Sequence, residues 1–451
     1  CWGYNYYGQL GLEINNDEVK DVPNNLDPVD LGSNITCIEC PEYITVSNNG
    51  DDFYCEISIT EPCNSIYQAI ELTDTYVNNI ILEQDNYTIY DNVYIDEEEL
   101  SIYGSGSTIT CDSYYTCFEF NVDILNIENL ALESENVGRG MYINAEECNI
   151  DNVNITNFSH AYGAALYFTR DGDSSIMITN SYFHNNNATD AYNGGSLYFD
   201  LYTESNINIE ITDNYFSDNY AVGSGACMFF DLSSEYDELD ISIYDNTFKN
   251  NEAKYAGGVI YLDIENTNCD DLEFEMYENE YYDNNAEYGD IEASSVCHID
   301  INNEYNQESG VYLVDYDGNV PVIYLVDYFW NRVLIDDSTL YGTGFTGEIT
   351  NIYSNADGPF SYELYNGTYT SNNNEIEMKN VSVTDQANTY WYIQLELSYI
   401  RYYDSSYFSE KYMEHEFNIY IEECEPGESR VQSGDNQYIC EICESGYYSS
   451  D

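Results

Sequence analysis

The chain has 451 residues, with 84 acidic side chains against 10 Lys and Arg, and a formal net charge of −74. Because phosphate groups are bound by basic patches, this charge excludes nucleic acid as a partner and disfavours anionic membrane surfaces. Hydrophobic residues still make up 43% of the chain and aromatic residues 16%, which indicates buried cores rather than a disordered acidic polymer. No run of about eighteen apolar residues occurs, so we expect no membrane insertion within this chain.

Residues 1–36 contain a motif that is typical of propeller blades. The run CWGYNYYGQLG resembles the WGxNxxGQLG signature of the regulator-of-chromosome-condensation repeat, a family that forms seven-bladed propellers. One repeat cannot close a propeller or bury its own face. The resemblance therefore implies a segment of a larger mosaic protein, or a protomer completed by its neighbours. The matching residues are Trp2, Gly3, Asn5, Gly8, Gln9, Leu10 and Gly11.

Fourteen cysteines are spread along the chain, and residues 37–63 form a cysteine-rich connector. An even number of cysteines indicates disulfide bonds formed in an oxidising compartment. Zinc is the alternative for the CxxC pairs, although none of the four histidines lies near them. The candidate disulfide cysteines are Cys37, Cys40, Cys55, Cys63, Cys111, Cys117, Cys424, Cys440 and Cys443.

A repeat with a nearly constant period occupies the centre of the chain, over 64–305. Its glycines recur at steps of 31, 31, 32 and 32, and an aromatic motif recurs in phase at steps of 33, 32 and 33. Two motifs that share one period indicate one structural unit stacked on itself. An antiparallel β-sandwich with similar hairpins is the alternative. The two sets are Gly163, Gly194, Gly225, Gly257 and Gly289, and Phe183, Phe216, Phe248 and Tyr281.

Each repeat carries short alternating runs that end in Asn or Asp, which predict strands followed by turns. Stacked coils place each strand beside its equivalent one period earlier, so that like residues form ladders. Asn tolerates left-handed turns, and the repeated glycine is expected at a tight bend where φ is positive or a side chain would clash. We therefore predict an all-β protein centred on a right-handed parallel β-helix.

The same repeats also resemble a known family. The runs FHNN, FSDN and FKNN, paired with GGSL and GGVI, are similar to the polymorphic outer-membrane-protein repeat over about residues 64–300. That resemblance implies a β-helix displayed outside a cell. It implies little about chemistry.

Two further modules are predicted after the repeats. Residues 306–422 alternate in the manner of strands, and a VxDxxGN run at 314–319 resembles an early strand and turn of an immunoglobulin-like β-sandwich. Residues 423–451 contain CxPG, CxxC and GYYS elements and resemble the start of a growth-factor-receptor-type cysteine-rich module.

The chain contains seven Asn-x-Ser/Thr sequons. In a chain so rich in Asn some arise by chance, but together with the cysteines they favour a secreted glycoprotein that carries N-linked glycans. The candidate asparagines are Asn34, Asn86, Asn154, Asn157, Asn187, Asn366 and Asn380.

An active site is not evident in the sequence. Enzymes that cleave polyanionic sugars need basic residues, and the repeats contain only Arg139, Arg170, Lys249 and Lys254. Carboxylate pairs are too common to identify a glycosidase. His160, His184 and His298 lack a motif that links them to a nucleophile. We expect no catalytic residues and no organic cofactor.

Calcium is the one plausible metal, because acidic clusters offer hard oxygen ligands. The clusters are 96–99, 270–271 and 336–337. A solvated acidic face is the competing explanation, so the metal ligands stay unknown.

Three hypotheses of function follow. The first is an extracellular structural glycoprotein that self-associates into a homopolymer, as in a surface coat, flagellar hair or cell-wall filament of a protist. The second is an adhesin that stacks neutral glycans on a tyrosine-rich face, for example on Tyr167 and Tyr198. The alternative is that both tyrosines are ordinary strand residues beside the core. The third is a carbohydrate-active enzyme.

Overall fold

Strands dominate the protein. The computed structural model describes residues 43–442 apart from gaps at 58–60, 74–76, 136–137, 190–192, 203–205, 233–237, 265–268, 270–271, 303–305, 308–321, 334–340, 355–360, 365–367, 371–375, 378–380, 385–388, 403–407, 422–427 and 435–436. Within these residues a 20-stranded sheet with parallel pairing winds around one core, so the prediction of an all-β fold centred on a parallel β-helix is confirmed. The propeller-type repeat at 1–36 and the VxDxxGN run lie outside the described residues.

Residues 44–151 form the first part of the stack, which we name the short coils. In this part Phe118 is paired with Met141, and the same offset of 23 residues separates Asn126 from Asn149. Two short helices cover the N-terminal end of the core, and neither helix of the described chain is long and apolar enough to cross a membrane. The elements are β1 (Ile44–Val46), α1 (Asp52–Ile57), α2 (Ile66–Glu71), β2 (Asn79–Leu82), β3 (Asn86–Ile89), β4 (Val93–Cys111), β5 (Thr116–Ser134) and β6 (Arg139–Asp151).

Residues 154–294 form the long coils. Here Leu197 is paired with Met228, and the same offset of 31 residues separates Asn193 from Ser224. A complete coil such as 197–221 holds four strands where the sequence pattern predicted two. The added strands β8, β12, β16 and β20 form a separate parallel sheet beside the main one. The strands are β7 (Asn154–Thr156), β8 (Ser159–His160), β9 (Leu166–Asp171), β10 (Ser174–Thr179), β11 (Tyr182–His184), β12 (Asn187–Ala188), β13 (Leu197–Tyr202), β14 (Asn206–Thr212), β15 (Tyr215–Ser217), β16 (Tyr220–Ala221), β17 (Met228–Leu232), β18 (Glu238–Tyr244), β19 (Thr247–Lys249), β20 (Glu252–Ala253), β21 (Ile260–Ile264), β22 (Glu273–Tyr277), β23 (Glu280–Tyr282) and β24 (Glu292–Ser294).

Inward-facing residues of equivalent strands stack into ladders. Phe183 and Phe216 are fully buried and their ring centroids lie 4.7 Å apart, with Phe248 5.2 Å further on. Each such ring contributes roughly 2–3 kcal/mol through removal of apolar surface from water. The parallel register is therefore fixed by the core, because a shift of one residue would turn these rings to the solvent.

Two ladders of buried asparagines close the turns on either side of these phenylalanines. In one of them the backbone N–H of Asn219 donates to Oδ1 of Asn251 (3.0 Å), and Nδ2 of Asn219 donates to the carbonyl oxygen of Phe183 (3.0 Å). The residue before each ladder asparagine adopts a left-handed conformation, for example Asp218 with φ of 54°. Asn and Asp tolerate that conformation better than most residues, which explains why the pairs DN and NN recur.

The repeated glycines all lie at bends where φ is positive, between 51° and 69°. At Gly225 a Cβ atom would lie 2.2 Å from the carbonyl oxygen of Met228, so both the backbone conformation and the close approach require glycine. The five glycines of the repeat are Gly163, Gly194, Gly225, Gly257 and Gly289.

The strands from Val296 onward pair mostly antiparallel, with β26 and β34 as a parallel pair. Sheet β25–β27–β31 faces the sheet β26–β34–β33–β28–β30, since a Cβ on Gly347 of the second would lie 3.2 Å from Cδ1 of Ile376 in the first. An immunoglobulin-like sandwich at 306–422 stays a prediction. The strands are β25 (Val296–Asn302), β26 (Asn306–Gln307), β27 (Val322–Asp327), β28 (Tyr341–Ser354), β29 (Ser361–Leu364), β30 (Thr368–Thr370), β31 (Ile376–Glu377), β32 (Val381–Thr384), β33 (Thr389–Tyr402), β34 (Phe408–Ile421), β35 (Glu428–Gly434) and β36 (Gln437–Ile442).

The parallel stack has different limits from the repeat seen in the sequence. It starts at Ile44, inside the predicted connector, and its last strand ends at Ser294, before the predicted boundary at 305. At that end Asp327, which is fully buried, accepts a hydrogen bond from the N–H of Ser294 (3.0 Å) and one from the N–H of Asn331 (2.8 Å). The turn after β27 therefore caps the edge of β24.

Candidate functional site

The structure forms three disulfide bonds within the described chain. They join Cys55 to Cys63, Cys111 to Cys117 and Cys269 to Cys297. The third was missed by sequence reasoning, since its cysteines lie 28 residues apart in different parts of the fold. Two further cysteines, Cys148 and Cys227, are buried and unbonded in the core, where burial raises the pKa of the Cys148 thiol to about 12. Cys37, Cys40, Cys424 and Cys443 lie outside the described residues, and Cys440 is in β36.

Four of the seven sequon asparagines lie in the described chain. Asn86, Asn154 and Asn157 are exposed, whereas Asn187 is half-buried in β12 between β8 and β16. Asn34, Asn366 and Asn380 lie outside the described residues.

Neither His184 nor His160 forms an acid–base pair suited to catalysis. His184 contacts Oγ of Ser217 (2.9 Å) and Oδ2 of Asp218 (3.3 Å), but both contacts are made by the same ring nitrogen, Nδ1. A catalytic triad needs the two ring nitrogens to serve the two partners separately, and Ser217 is buried. This grouping, which the sequence reasoning missed, therefore does not support a hydrolase.

His160 is held neutral beside a buried arginine. Its Nδ1 lies 3.0 Å from Nη2 of Arg139, which can only donate, and burial together with this charge lowers the pKa of His160 to about 4. Arg139 also donates to the carbonyl oxygen of Tyr162 (3.0 Å) and lies over the ring of Tyr167. The pair is a structural contact at the junction of the short and long coils.

Acidic side chains line two grooves at one corner of the stack. One has a volume of about 680 Å³ and contains the predicted cluster 96–99, with Arg170 in its wall; the other has about 350 Å³ and contains Glu146, Asp173 and Asp240. Within the described residues no three carboxylate, histidine or cysteine groups are arranged to hold one ion. Clusters 270–271 and 336–337 lie outside the described residues, so calcium stays a prediction.

The tyrosines proposed to stack glycans are already stacked on each other. The ring centroids of Tyr167 and Tyr198 lie 5.1 Å apart with an angle of 1° between the rings, and Tyr142 and Phe229 cover their outer faces. Tyr198 is only 6% exposed. Neither ring offers a free face to a sugar.

One surface with unsatisfied hydrogen-bonding capacity is the last coil of the stack, residues 273–284, which we name the C-terminal rim. In the described chain β22 is paired only with β18, and β23 only with β19. Tyr328 and Phe329 cover one corner of the rim by packing on Phe274. No other described strand pairs with the remaining edge of β22 and β23.

Three backbone N–H groups of the rim point along the stack without a partner among the described residues. They belong to Asn279, Asp283 and Asn284. In every preceding long coil the equivalent N–H donates to the next coil: Asn246 to Oδ1 of Asn279 (2.9 Å), Asn250 to the carbonyl oxygen of Tyr282 (2.9 Å), and Asn251 to Oδ1 of Asn284 (3.0 Å). The rim therefore ends both asparagine ladders with open donors.

The core is also less covered at the rim. Met276 and Tyr281 point inward like the fully buried Ile243 and Phe248 of the coil before, yet both are only half-buried. Burial raises the pKa of Tyr281 to about 12, so its hydroxyl stays protonated at neutral pH. The ends of the aromatic stacks thus present apolar surface beside the open donors.

Outward-facing side chains of the rim are mostly acidic. Glu273, Glu275 and Glu280 are exposed, and each strand ends in an exposed tyrosine, of which Tyr282 donates to Oε2 of Glu280 (2.9 Å). That carboxylate raises the pKa of Tyr282. The run YENEYYDNN carried the only sequence signal for the rim, but its position at the end of the stack depends on the tertiary fold.

Comparisons of the chain with protein-family models, with curated proteins and with solved structures found no match.

Proposed function

We propose that this chain is a rigid structural segment of an extracellular glycoprotein, a protomer or part of a surface coat, flagellar hair or filament. The observation that supports this best is the unbroken parallel register of one row of residues, from Tyr94 to Ala293, through every coil from β4 to β24. Hydrogen bonds between coils then run along the axis of a stiff rod. A protein with a rod as its centre acts through length and stiffness, for which no catalytic group is needed.

Three disulfide bonds and the exposed sequon asparagines support an oxidising, extracellular location. The high negative charge keeps such a surface soluble and limits non-specific association. We propose that copies join end to end through the modules that flank the rod, because a head-to-tail contact that does not close generates a fibre.

Electron microscopy and mass photometry of the protein secreted from a eukaryotic host test this proposal. We expect elongated particles that join into linear assemblies as the concentration rises. Compact particles that remain monomeric at every concentration would contradict both the rod and its assembly.

An adhesin is the second candidate, and one observation favours it. Trp330 is 64% exposed, adopts φ of 64° and stacks one ring face on His298 with centroids 5.1 Å apart. An exposed aromatic residue in a strained conformation is typical of binding sites. Binding to a glycan array that Trp330→Ala abolishes and Tyr167→Ala preserves would favour this candidate over a purely structural role.

A further inference from the structure

We propose that the C-terminal rim binds a basic, extended segment of a different protein, which adds to β22 and β23 as a further parallel half coil. Addition of a strand to an exposed sheet edge supplies main-chain hydrogen bonds, and side-chain positions then select the partner. The rim offers the three elements that such a segment needs: open strand edges, open ladder donors and half-buried core residues. This goes beyond the structural role proposed above and does not depend on filament formation.

The ladder donors define where the segment must carry asparagine or aspartate. In each long coil a left-handed residue directly precedes a ladder asparagine, and a second such pair follows one strand later. Asn246 and Asn251 are the two ladder asparagines of one coil, and Asn279 and Asn284 are those of the next. To accept from the open N–H groups of Asn279 and Asn284, the partner needs Oδ1 atoms with that same spacing. Between them it needs an aromatic or aliphatic residue that covers Tyr281. The expected pattern is [DN]-N-x-[FYI]-x-[DN]-N.

The charge of the rim selects a basic segment. In a parallel stack the side chains of the added strand lie directly beside Glu273, Glu275 and Glu280, since these residues themselves lie beside Asp240, Ser242 and Thr247 of the coil before. Like charges at directly opposed positions destabilise a sheet, whereas Lys or Arg there stabilises it. Lys or Arg at these positions is therefore favoured over Asp or Glu, although the stack itself pairs Asp240 with Glu273.

A second copy of this chain is a poor occupant. Every described stretch with the ladder pattern is already used inside the stack; even the earliest, around Asn186, accepts from the N–H of Phe158 (3.1 Å). The strands at the N-terminal end of the core also do not match the rim, because no non-glycine residue described before Asn129 adopts the left-handed conformation that precedes each ladder asparagine. With 84 acidic residues against 10 basic ones, a second copy also adds carboxylates where the rim needs cations.

A peptide built from this chain's own coil tests the proposal on the full-length protein. The probe is KIKIYDNKFKNN, which is residues 240–251 with Asp240→Lys, Ser242→Lys and Thr247→Lys. Two control peptides are EIEIYDNEFENN, with reversed charge, and KIKIYDAKFKNA, which lacks both ladder asparagines. Fluorescence anisotropy with labelled peptide measures binding.

We expect the basic probe to bind, with an affinity that falls as the salt concentration rises, and both control peptides to bind at least about tenfold more weakly. The variant Glu275→Lys/Glu280→Lys should weaken binding of the basic probe by about tenfold or more, because it places cations opposite cations. Its matched control, Asp123→Lys/Glu147→Lys, makes the same change at exposed carboxylates of the short coils and should leave binding within about twofold.

Three results would overturn the proposal. They are no binding of the basic probe, equal binding of the probe that lacks the ladder asparagines, and equal loss in the rim variant and its matched control. The first would mean that the rim carboxylates keep the edge from pairing with any strand. The last would mean that the peptide responds only to the overall charge. Filament formation is measured separately by microscopy, so failure here leaves the proposed structural role standing.

Discussion

One row of outward-facing side chains is exposed to solvent in the short coils and buried in the long coils. The row runs through Tyr94, Tyr142, Tyr198, Phe229 and Tyr261 in continuous parallel register. Its first member, in the short coils, is 56% exposed, whereas the last three, in the long coils, are between 0% and 6% exposed. The same strand position is therefore solvent-facing at one end of the rod and core at the other.

The extra length of each long coil produces this difference. The added residues form the side sheet of β8, β12, β16 and β20 and bring the glycine bend back over the aromatic row. A Cβ on Gly163 would lie 2.7 Å from Cβ of Tyr198, which shows how closely the bend covers the ring. Lengthening a coil thus adds a second core outside the first, and that second core continues into the antiparallel part through Ala293 and Ile299.

The largest expected effect comes from truncating one residue of this row in each of the two regions. Phe229→Ala should lower the free energy of unfolding by about 3–5 kcal/mol, because it leaves a cavity between Tyr198 and Tyr261. Tyr94→Ala, in the short coils, should change it by less than about 0.5 kcal/mol. Guanidinium denaturation followed by circular dichroism measures both. Equal losses would show that the long coils do not enclose a second core.

The pH dependence of stability sharpens the comparison at the end of the long coils. Burial raises the pKa of Asp327 to about 6, above its unfolded value of about 4, so the folded protein binds this proton more tightly than the unfolded chain. The contribution of Asp327 to stability is then greatest below about pH 4 and decreases as the pH rises to about 6, by roughly 3 kcal/mol in total.

The variant Asp327→Asn isolates this contribution, because it removes the titration while keeping an oxygen that can accept from Ser294. The difference in unfolding free energy between the protein and this variant should change across about pH 4 to 6 and stay constant above it. A difference that does not vary with pH would mean that the pKa of Asp327 is the same in the folded and the unfolded chain.

Much of the long coils could be predicted from the sequence, and little of the short coils. Glycine is required at the bends of the long coils, and Asn or Asp is favoured at the left-handed positions of their turns. These residues therefore recur with a regular period in the sequence. The short coils lack these bends. Their long strands β4, β5 and β6 stack with a shorter offset and carry no repeated glycine, so their place in the β-helix predicted at 64–305 depended on the family resemblance and not on the period.

Three features depended on tertiary contacts that no local pattern encodes. The pairing of Cys269 with Cys297 requires the last coil to lie beside β25. The cap at Asp327 comes from a turn 33 residues beyond the strand it covers. The rim is a functional candidate only because no described strand follows it in the stack, and a sequence repeat does not show where stacking ends.

A smaller effect should separate the asparagine ladders of the two regions. Asn219→Ala, in the long coils, removes the Oδ1 that accepts from the N–H and Nδ2 of Asn186, and all of these atoms are buried. We expect a loss of about 2 kcal/mol, since buried donors are left without acceptors. Asn126→Ala removes a half-buried ladder contact of the short coils, with Asn149, and should cost about 0.5–1 kcal/mol because water can replace it. Chemical denaturation of both variants tests this; a larger loss at Asn126 would reverse the comparison.

The smallest expected effect concerns the hydroxyl groups at the edge of the aromatic row. The hydroxyl of Tyr198 donates to Oδ2 of Asp231 (3.3 Å), and it lies beside a second row of stacked carboxylates that includes Asp200 and Asp263. Burial and then the charge of Asp231 raise the pKa of Tyr198 well above its ordinary range, so the group stays a neutral donor at every physiological pH. Tyr198→Phe should therefore cost about 1 kcal/mol, through loss of a hydrogen bond to a charged acceptor and less screening of the carboxylate row. Tyr142→Phe, in the short coils and away from the carboxylate row, should cost less than about 0.5 kcal/mol.

Absorbance titration provides an independent measurement. Tyr198 should not ionise before the protein unfolds in alkali, so the absorbance of the folded protein should be the same in Tyr198→Phe. A loss of alkaline tyrosine absorbance in that variant before unfolding would show that solvent reaches the row, and that the long coils leave it as open as the short coils do.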